Sequence, residues 1–307
     1  MSGLGTIEPE LDLSELDKSM GQPIRGPRAL DESWSRFWHL TYNIARSEFK
    51  LKFFGSALGY LWQVMRPLLL FGVLYVFFVV VFEVNKRTHG AQGHFYGAQL
   101  LGSIVLFTFF AEATSGAVRS VVDRENLVRK IQFPRLAIPA SVVLLAAFNL
   151  ALNLVVVMAF ALIEGVRPML SWLELPLIVG MLVLLSSGVA MLLSSLFVRF
   201  RDISPIWEVL SQIFFYSAPV ILPAEAVREK LAHGTLDHVL YHVYTLNPLV
   251  TIFQQFRHAM INPATYSAGQ VMGSWLDLLE PVALVCAIFA LGFWVFNREA
   301  PHIAEDL

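Results

Sequence analysis

The 307-residue sequence has few charged residues. Asp, Glu, Lys and Arg make up 15% of the chain, against roughly 25% in soluble domains, whereas hydrophobic residues make up 56%. The apolar residues fall in long stretches with almost no charge, which is typical of membrane helices and not of a large soluble core. The sequence therefore predicts an all-α integral membrane protein.

Several chemistries are excluded by what is missing. Cys286 is the only cysteine, so neither an intramolecular disulfide framework nor a multi-cysteine metal site is available. The net charge of −2 offers no basic field for nucleic acid. The phosphate loop Gly-x-x-x-x-Gly-Lys-Ser/Thr is absent, as are His-Glu-x-x-His and Gly-x-Ser-x-Gly. His238 and His242 have a metal-compatible spacing, but a solvated pair is the simpler interpretation, and we expect no metal and no cofactor on this chain.

Six apolar stretches are long enough to cross the hydrocarbon layer as helices, which needs about 20 residues. They cover residues 58–82, 95–118, 136–163, 175–198, 203–224 and 278–297. Lys and Arg are concentrated on the side of the membrane that holds both termini, and the positive-inside rule assigns that side to the cytosol. We therefore expect six transmembrane helices with both termini in the cytosol.

The segments outside these stretches differ in character. Residues 1–33 are acidic and predict a disordered cytosolic tail, and residues 298–307 form a second tail. Residues 34–53 alternate aromatic and basic residues at helical spacing, which predicts an amphipathic helix in the plane of the interface. Residues 120–132 predict a short charged helix that Pro134 halts.

The longest segment on the outer side, residues 222–276, contains one apolar part. Residues 248–261 are too apolar for a free loop and too short to cross a membrane. We therefore expect a re-entrant or surface-lying helix there.

Aromatic residues are grouped on the first and fifth predicted spans. They are Phe71, Tyr75, Phe78 and Phe82 on the first, and Trp207, Phe214, Phe215 and Tyr216 on the fifth. Helix packing and lipid contact are the simpler interpretation for any one of these rings. The alternative is a translocation wall, because aromatic faces stack on the C–H faces of sugar rings. The sequence leaves both interpretations open.

Ionisable residues within spans are expensive and are functional candidates by default. Glu112, Glu208 and Arg66 are such residues, although each lies near a span end and could equally anchor at the interface. Asn149 and Asn153 are four residues apart and face the same way, which predicts an interhelical hydrogen bond.

Four strings in the sequence carry a resemblance to a known family. They are KLKFFGSALGYLWQVMRPLLL at 50–70, NLVRKIQFPRLAIP at 126–139, RFRDISPIWEVLSQIFFYSAPVILP at 199–223 and LNPL at 246–249. In this order they resemble the permease subunit of ABC-2-type polysaccharide exporters, which move O-antigen, capsule, teichoic acid and related lipid-linked glycans. The resemblance covers about residues 34–297.

The resemblance implies an architecture and partners. The expected fold is the ABC-2 (type V) exporter fold in a bacterial cell membrane, with the transmembrane domain at 58–297. It also implies a homodimer with a channel between protomers and two copies of a separate ATPase subunit, which would hold ATP and Mg. The family's amphipathic interface helix matches residues 34–53, its coupling helix 120–132, and its extracytoplasmic gate helices 222–261.

The same resemblance assigns site residues. On the coupling helix, the residues expected to contact the ATPase are Asp123, Arg124, Glu125, Leu127, Val128, Arg129, Lys130 and Ile131. The lipid diphosphate is expected to enter beside Arg36, Arg46, Lys50 and Lys52. The cargo would be an isoprenoid-diphosphate-linked glycan that passes along the aromatic wall, an O-antigen or a cell-wall galactan being equally compatible.

Two other classes of function stay open. One is an ABC-2 permease for drugs or small lipids, which would have the same fold and another cargo. The other is a membrane enzyme acting on lipid-linked sugars, which would need paired catalytic carboxylates at the membrane surface. Asp123 and Glu125 are poor candidates for such a pair because five basic residues surround them.

Overall fold

A computed structural model describes residues 34–53, 59–82, 95–126, 133–224, 227–228, 235–261, 265–273 and 276–301 of the chain. In these ranges the fold is entirely helical and contains no β-strand. The predicted tail at 1–33, and Leu127, Val128, Arg129, Lys130 and Ile131 of the predicted coupling helix, lie outside the described residues.

The described residues form a series of helices. In chain order they are α1 Trp34–Phe53, α2 Gly59–Tyr75, α3 Tyr96–Val118, α4 Ala137–Ile163, α5 Leu175–Arg199, α6 Ile203–Ser217, α7 Thr235–Leu246, α8 Pro248–Phe256, α9 Ala268–Met272 and α10 Leu279–Glu299. Wider π-helical turns extend α2 through Val76–Val81 and α8 through Arg257–Ile261. A 3-10 turn, Leu170–Glu174, precedes α5.

In the part of the chain that the structure describes, five helices are long and apolar enough to cross a membrane, so the chain is a multi-pass membrane protein. They are Leu61–Val81, Tyr96–Val118, Ala137–Ile163, Leu170–Arg199 and Leu279–Glu299. These five helices correspond to the predicted stretches 58–82, 95–118, 136–163, 175–198 and 278–297.

The remaining predicted stretch, 203–224, contains a shorter helix. α6 has 15 residues and ends where Ala218 adopts an extended backbone with ψ of 155°. Pro219 follows, and a proline disfavours helical backbone at the residue before it. At 1.5 Å per residue α6 is about 22 Å long, against a hydrocarbon layer of roughly 30 Å. The apolar character continues beyond the helix, but the helix itself does not.

The bundle has two ends, for which we use fixed names. The basal end holds α1, residues 119–126 and the ends of α5 and α10, which are tied by an Arg199–Glu299 ion pair of 2.7 Å. The distal end holds α7, α8 and the turns at 218–222. There Trp172 donates from its indole Nε1 to the Met260 carbonyl at 2.9 Å, so the turn before α5 holds the π-helical end of α8.

α3 is the central helix of the bundle. It packs against α2, α4, α5 and α6, and nearly all of its residues are buried. A helix that is apolar on every side belongs in the interior, and α3 is of this kind. α2 and α10 lie at the periphery, with few of their large apolar side chains buried in the protomer.

α5 and α10 approach so closely that only glycine fits at their crossing. A Cβ placed on Gly292 would lie 2.2 Å from the carbonyl oxygen of Gly188, and a Cβ on Gly188 would lie 2.7 Å from the Cα of Phe289. Both obstacles are backbone atoms, which cannot rotate away. Small residues allow membrane helices to pack through backbone contact, which compensates for the weak apolar drive between helices in lipid.

The start of α3 is capped by a carboxylate from the end of α4. Gly165, with φ of 98°, turns the chain sharply after α4 and leaves Glu164 beside α3. Glu164 Oε2 accepts a hydrogen bond from the Ala98 N–H at 2.9 Å. A Cβ on Gly97 would lie 2.2 Å from Glu164 Oε1, so a larger residue there would displace the carboxylate. Burial raises the pKa of Glu164, and the Ala98 N–H opposes this shift.

Alanine at the α5–α10 crossing should destabilise the protein. We expect Gly188→Ala and Gly292→Ala each to lower the free energy of unfolding by about 1–3 kcal/mol, the usual cost of overpacking. Thermal unfolding in detergent measures this effect. Gly180→Ala in α5 is the control, because the added Cβ meets no atom of the described residues within 4 Å. Equal unfolding temperatures for all three variants would show that α5 and α10 do not approach this closely.

The Glu164 cap should make stability depend on pH. Because its pKa is raised in the folded state, the folded protein binds this proton more tightly than the unfolded chain does. The contribution is largest below the ordinary carboxyl pKa and is lost as the pH rises through the raised value. Unfolding temperatures measured from about pH 4.5 to about pH 8 should fall less steeply in Glu164→Gln than in the wild type. If the unfolding temperature depends on pH equally in the wild type and in Glu164→Gln, Glu164 is not the source of the pH dependence.

Candidate functional site

α6 buries one side against α3. Trp207 is buried, and its indole Nε1 donates to Thr114 Oγ1 of α3 at 3.2 Å. Phe214 and Phe215 pack against aromatic rings of α3 at centroid distances of 6.2 and 5.0 Å. This side of α6 is therefore part of the protomer's interior.

The opposite side of α6 is left uncovered by the described residues. Glu208, Gln212 and Tyr216 follow one another at a spacing of four residues, which places them in one row along the helix. All three are exposed, and Tyr216 retains 76% of its accessible surface. We call these three residues the polar stripe. They lie among exposed aliphatic side chains, including Val209 and Ile213.

The aromatic residues of α2 fall into two groups. Phe71 is buried, and its ring lies 5.2 Å from that of Phe160 on α4. Tyr75 is half-buried beside Phe71, at 5.3 Å between ring centroids. Further along, Phe78 is half-buried and Phe82 is 43% exposed. Of the aromatic residues predicted to line the first span, Phe71 therefore packs against α4, whereas Phe82 reaches the protomer surface.

A cavity at the distal end brings α2 and α6 together. It has a volume of about 330 Å³, and its lining includes Phe78, Tyr216, Ser217, Leu222 and Tyr244. Two of the predicted wall residues, Phe78 and Tyr216, therefore share one cavity. Aromatic faces and a hydroxyl tip line it, with apolar surface between them.

α1 has a continuous basic and polar row on one face. The spacing of Arg36, His39, Asn43, Arg46 and Lys50 alternates between three and four residues, so these side chains share one side of the helix. All five are exposed. We call them the basic stripe. Of the residues predicted to meet a lipid diphosphate, three lie in it.

The opposite face of α1 packs on the bundle, and Lys52 lies at the end of the helix. Phe37, Thr41 and Ala45 are buried, whereas Lys52 is exposed. Phe37 belongs to an apolar cluster with residues of α4, α5 and α10, which also includes Val121. This cluster attaches α1 to the basal end of the bundle.

Residues 119–126, which we call the basal loop, begin the predicted coupling segment. Hydrogen-bonded turns span Arg119 to Arg124, and helical geometry starts only at Glu125. Arg119 donates from Nε and Nη2 to Ser204 Oγ of α6, at 3.3 and 3.1 Å. Asp123 is exposed, and Glu125 is half-buried. The loop therefore contacts α6 directly.

Arg124 of the basal loop forms an ion pair with Glu48 of α1. Its Nη1 also donates to the Ser120 carbonyl at 3.0 Å, which fixes the guanidinium within the loop. Burial lowers the pKa of Arg124, and an arginine keeps its charge under such conditions. The pair joins the basal loop to the helix that carries the basic stripe.

A hydrogen-bonded group that we call the polar knot joins three helices inside the bundle. Glu112 of α3 accepts from Gln63 Nε2 of α2 at 2.8 Å and from Asn149 Nδ2 of α4 at 2.9 Å. Gln63 and Asn149 are each 3% exposed. The interhelical hydrogen bond predicted for Asn149 is present, and its partner is Glu112. Asn153 turns back to the Asn149 carbonyl at 2.9 Å.

At the distal end a buried arginine holds the segment that follows α6. Arg257 is 1% exposed, and it donates from Nε to Ser103 Oγ at 3.2 Å and from Nη2 to the Val220 carbonyl at 3.0 Å. The next carbonyl, that of Ile221, accepts from the Tyr96 hydroxyl at 3.0 Å. Side chains from α3 and from the end of α8 thus satisfy two successive carbonyls where the α6 helix has ended.

Sequence reasoning missed Glu48, Gln63 and Arg257. Charge counting alone places Arg257 among the bases of the outer side, although its position as the one Lys or Arg in the apolar segment 248–261 is a signal of burial. Glu48 follows Phe37, Thr41 and Ala45 at helical spacing, which could have indicated that it faces the bundle. Nothing local marked Gln63, because its partner lies 49 residues away.

The architecture defines a class of protein. It is a multi-pass helical membrane protein with a buried central helix, a surface helix carrying a basic stripe, and a short helix whose polar stripe is left open. The sequence model of the ABC-2 type transporter family matches residues 39–261. The chain belongs to that family.

Curated relatives are similar over most of their length. Two O-antigen export system permease proteins RfbA of Klebsiella pneumoniae are each 25% identical over 265 residues, covering 86% of this chain and 93% of the relative. The protein of the same name from Myxococcus xanthus is 24% identical over 272 residues, covering 87% of this chain and 95% of the relative.

Removing the acceptor at the centre of the polar knot should destabilise the bundle. Glu112→Leu leaves the buried amides of Gln63 and Asn149 without their acceptor, at about 1–3 kcal/mol for each unsatisfied group. Glu112→Gln should cost less, because its oxygen accepts from Gln63 and its N–H₂ donates to Asn149 Oδ1 after that amide flips. Among the described residues, Asn149 Oδ1 has no hydrogen-bond partner. The measurement is thermal unfolding in detergent.

The matched control is Glu208→Leu, a glutamate of α6 that is exposed in the protomer. It should leave the unfolding temperature nearly unchanged, since it makes no buried contact. Equal losses for the Leu and Gln variants at position 112 would show that hydrogen bonding there does not stabilise the bundle.

Proposed function

We propose that the chain is the permease subunit of an ATP-driven ABC exporter that moves an isoprenoid-diphosphate-linked polysaccharide out of the cytosol. The cargo would be an O-antigen, a cell-wall galactan or a similar glycan. The family assignment and the names of the relatives, which are O-antigen export permeases, support this cargo class.

The observation that carries the proposal is the polar stripe of α6. A charged residue such as Glu208 that faces lipid costs about 2.5–3.5 kcal/mol at the centre of a membrane helix, and less towards the interface. A second copy of the chain, or a water-filled path between two copies, removes that cost. We therefore assign the stripe to a translocation path between the protomers of a homodimer.

In this arrangement α2 and α6 line the path. Of the predicted wall residues, Phe78, Phe82 and Tyr216 reach the open surface or the distal cavity, and they would form the part of the wall that contacts sugar. Phe71 and Trp207 are buried in the protomer and would support the wall from behind. α6 together with residues 218–222 would complete a sixth crossing, with both termini in the cytosol.

The basal end would face the cytosol in a bacterial cell membrane. The basic stripe of α1 lies where Arg36, Arg46 and Lys50 could meet the diphosphate of the lipid carrier, and Lys52 lies two residues further on. α7 and α8 at the distal end would act as the gate that closes the exit.

Energy would come from two copies of a separate ATPase subunit, which hold ATP and Mg. The 307 residues contain no Gly-x-x-x-x-Gly-Lys-Ser/Thr loop. The basal loop and the residues after it would dock on the ATPase, where Asp123 is exposed for contact. In this role the chain itself catalyses no reaction.

The test is complementation of a strain that lacks the chain. Wild type should restore glycan at the cell surface, and Glu208→Leu with Gln212→Leu should lower it about tenfold, because losing hydrogen bonds worth about 1.4 kcal/mol changes a rate by that factor. The measurement is surface glycan by immunoblot, beside the amount of chain in the membrane. Val209→Leu with Ile213→Leu on the same side of α6 is the matched control and should export normally.

The outcomes separate the functions. Normal surface glycan in the strain without the chain would overturn the polysaccharide cargo, and hypersensitivity of that strain to amphiphilic drugs would favour a permease for small molecules. Normal export by the Glu208→Leu and Gln212→Leu double variant would overturn the assignment of the polar stripe to the translocation path.

A further inference from the structure

The basal loop is tied by side chains to two different helices. Arg119 hydrogen-bonds to Ser204 in the first turn of α6, and Arg124 pairs with Glu48 of α1. One of these helices carries the polar stripe, and the other carries the basic stripe. Any displacement of the loop therefore acts on both of them.

Glu48 is the only acidic residue of α1, and its position relates it to the packed face. It follows Phe37, Thr41 and Ala45 at helical spacing, so it lies on the side turned towards the bundle. The basic stripe occupies the opposite side. Because α1 is one uninterrupted helix of 20 residues, a force applied at Glu48 moves the basic stripe as part of the same body.

The ion pair has properties that suit it to transmit a displacement. The side chains of Arg124 and Glu48 are only 20% and 30% exposed, so the pair is less screened by salt than a surface pair. Arg124 is also held to its own loop through the Ser120 carbonyl. The guanidinium consequently follows the loop and does not swing freely.

We propose that the Glu48–Arg124 pair positions α1 in response to movement of the basal loop, so that nucleotide binding by the ATPase changes the position of the basic stripe at the membrane surface. The inference rests on the proposed function. Glu48 and Arg124 are positioning residues in this mechanism, since Arg36, Arg46 and Lys50 would contact the diphosphate. The contact between Arg119 of the loop and Ser204 of α6 would link loading of the lipid carrier to opening of the path.

The test follows α1 directly, without any cargo. Cys286→Ser removes the only cysteine, and Ser47→Cys then places an environment-sensitive fluorophore on an exposed position of α1. The permease is purified with its ATPase in lipid nanodiscs, and fluorescence is recorded before and after a non-hydrolysable ATP analogue is added. Variants in this background are Glu48→Arg, Arg124→Glu and the double exchange.

We expect the analogue to change the fluorescence of the parent, and either single exchange to reduce that change about fivefold, within the range of typical coupling energies. The double exchange should restore at least about half of it, because the pair is rebuilt with its charges reversed. The control is the Arg199→Glu and Glu299→Arg pair at the same end of the bundle, which joins α5 to α10. Its single exchanges should leave the response unchanged.

The results distinguish this inference from the proposed function. A permease that purifies without any ATPase overturns the proposed function, and the inference with it. If the ATPase is bound and the response survives the single exchanges, or the double exchange fails to restore it, only the inference is overturned. Co-purified ATPase, quantified in each sample, identifies variants that merely lose assembly.

Discussion

Hydrocarbon cannot solvate polar groups, and this constraint organises the whole bundle. Glu112 accepts hydrogen bonds from amides on two neighbouring helices, and Arg257 donates to a hydroxyl and to a carbonyl. Both side chains thereby find hydrogen-bond partners inside the protomer. Glu208 and Gln212 of the polar stripe are exposed in the single protomer. On this side of the molecule, hydrocarbon alone would leave these two polar side chains unsolvated.

The same constraint separates a closely packed block of helices from helices that bury only one side against it. α3, α4, α5 and α10 share extensive apolar packing, and α5 meets α10 backbone to backbone at Gly188 and Gly292. α2 and α6 lie on the edge of this block. Directional contacts such as Gln63–Glu112 and Trp207–Thr114 attach them to α3. Helices that are packed on one side only can shift between two arrangements more readily than a close-packed interior can deform.

The basal end combines both kinds of attachment. The apolar cluster around Phe37 and Val121 fixes α1 and the basal loop to the bundle. The polar contacts of Arg119 and Arg124 connect that loop to α6 and to α1. In a permease driven by a separate ATPase, a force applied to the basal loop would act on two helices. One is α1, which carries the basic stripe, and the other is α6, which carries the polar stripe.

Much of this could be predicted from the sequence, because the cost of placing each residue in lipid is a local property. Hydropathy located five spans to within a few residues, and the spacing of Arg36, Arg46 and Lys50 marked one side of α1. Hydropathy overestimated the helix in 203–224, since Pro219 ends it through backbone geometry and not through polarity.

Only the tertiary structure decided which groups meet. Phe71 and Tyr216 have similar sequence surroundings, yet one is buried against α4 and the other is open, because a helical period identifies a face and not its neighbour. The partners of Glu112 lie 49 and 37 residues away, and the partner of Arg124 lies 76 residues away. The sequence alone determined a membrane protein with its spans and its charged surface helix. Folding decided the pairs, because a hydrogen bond or an ion pair depends on the distance between segments that packing brings together.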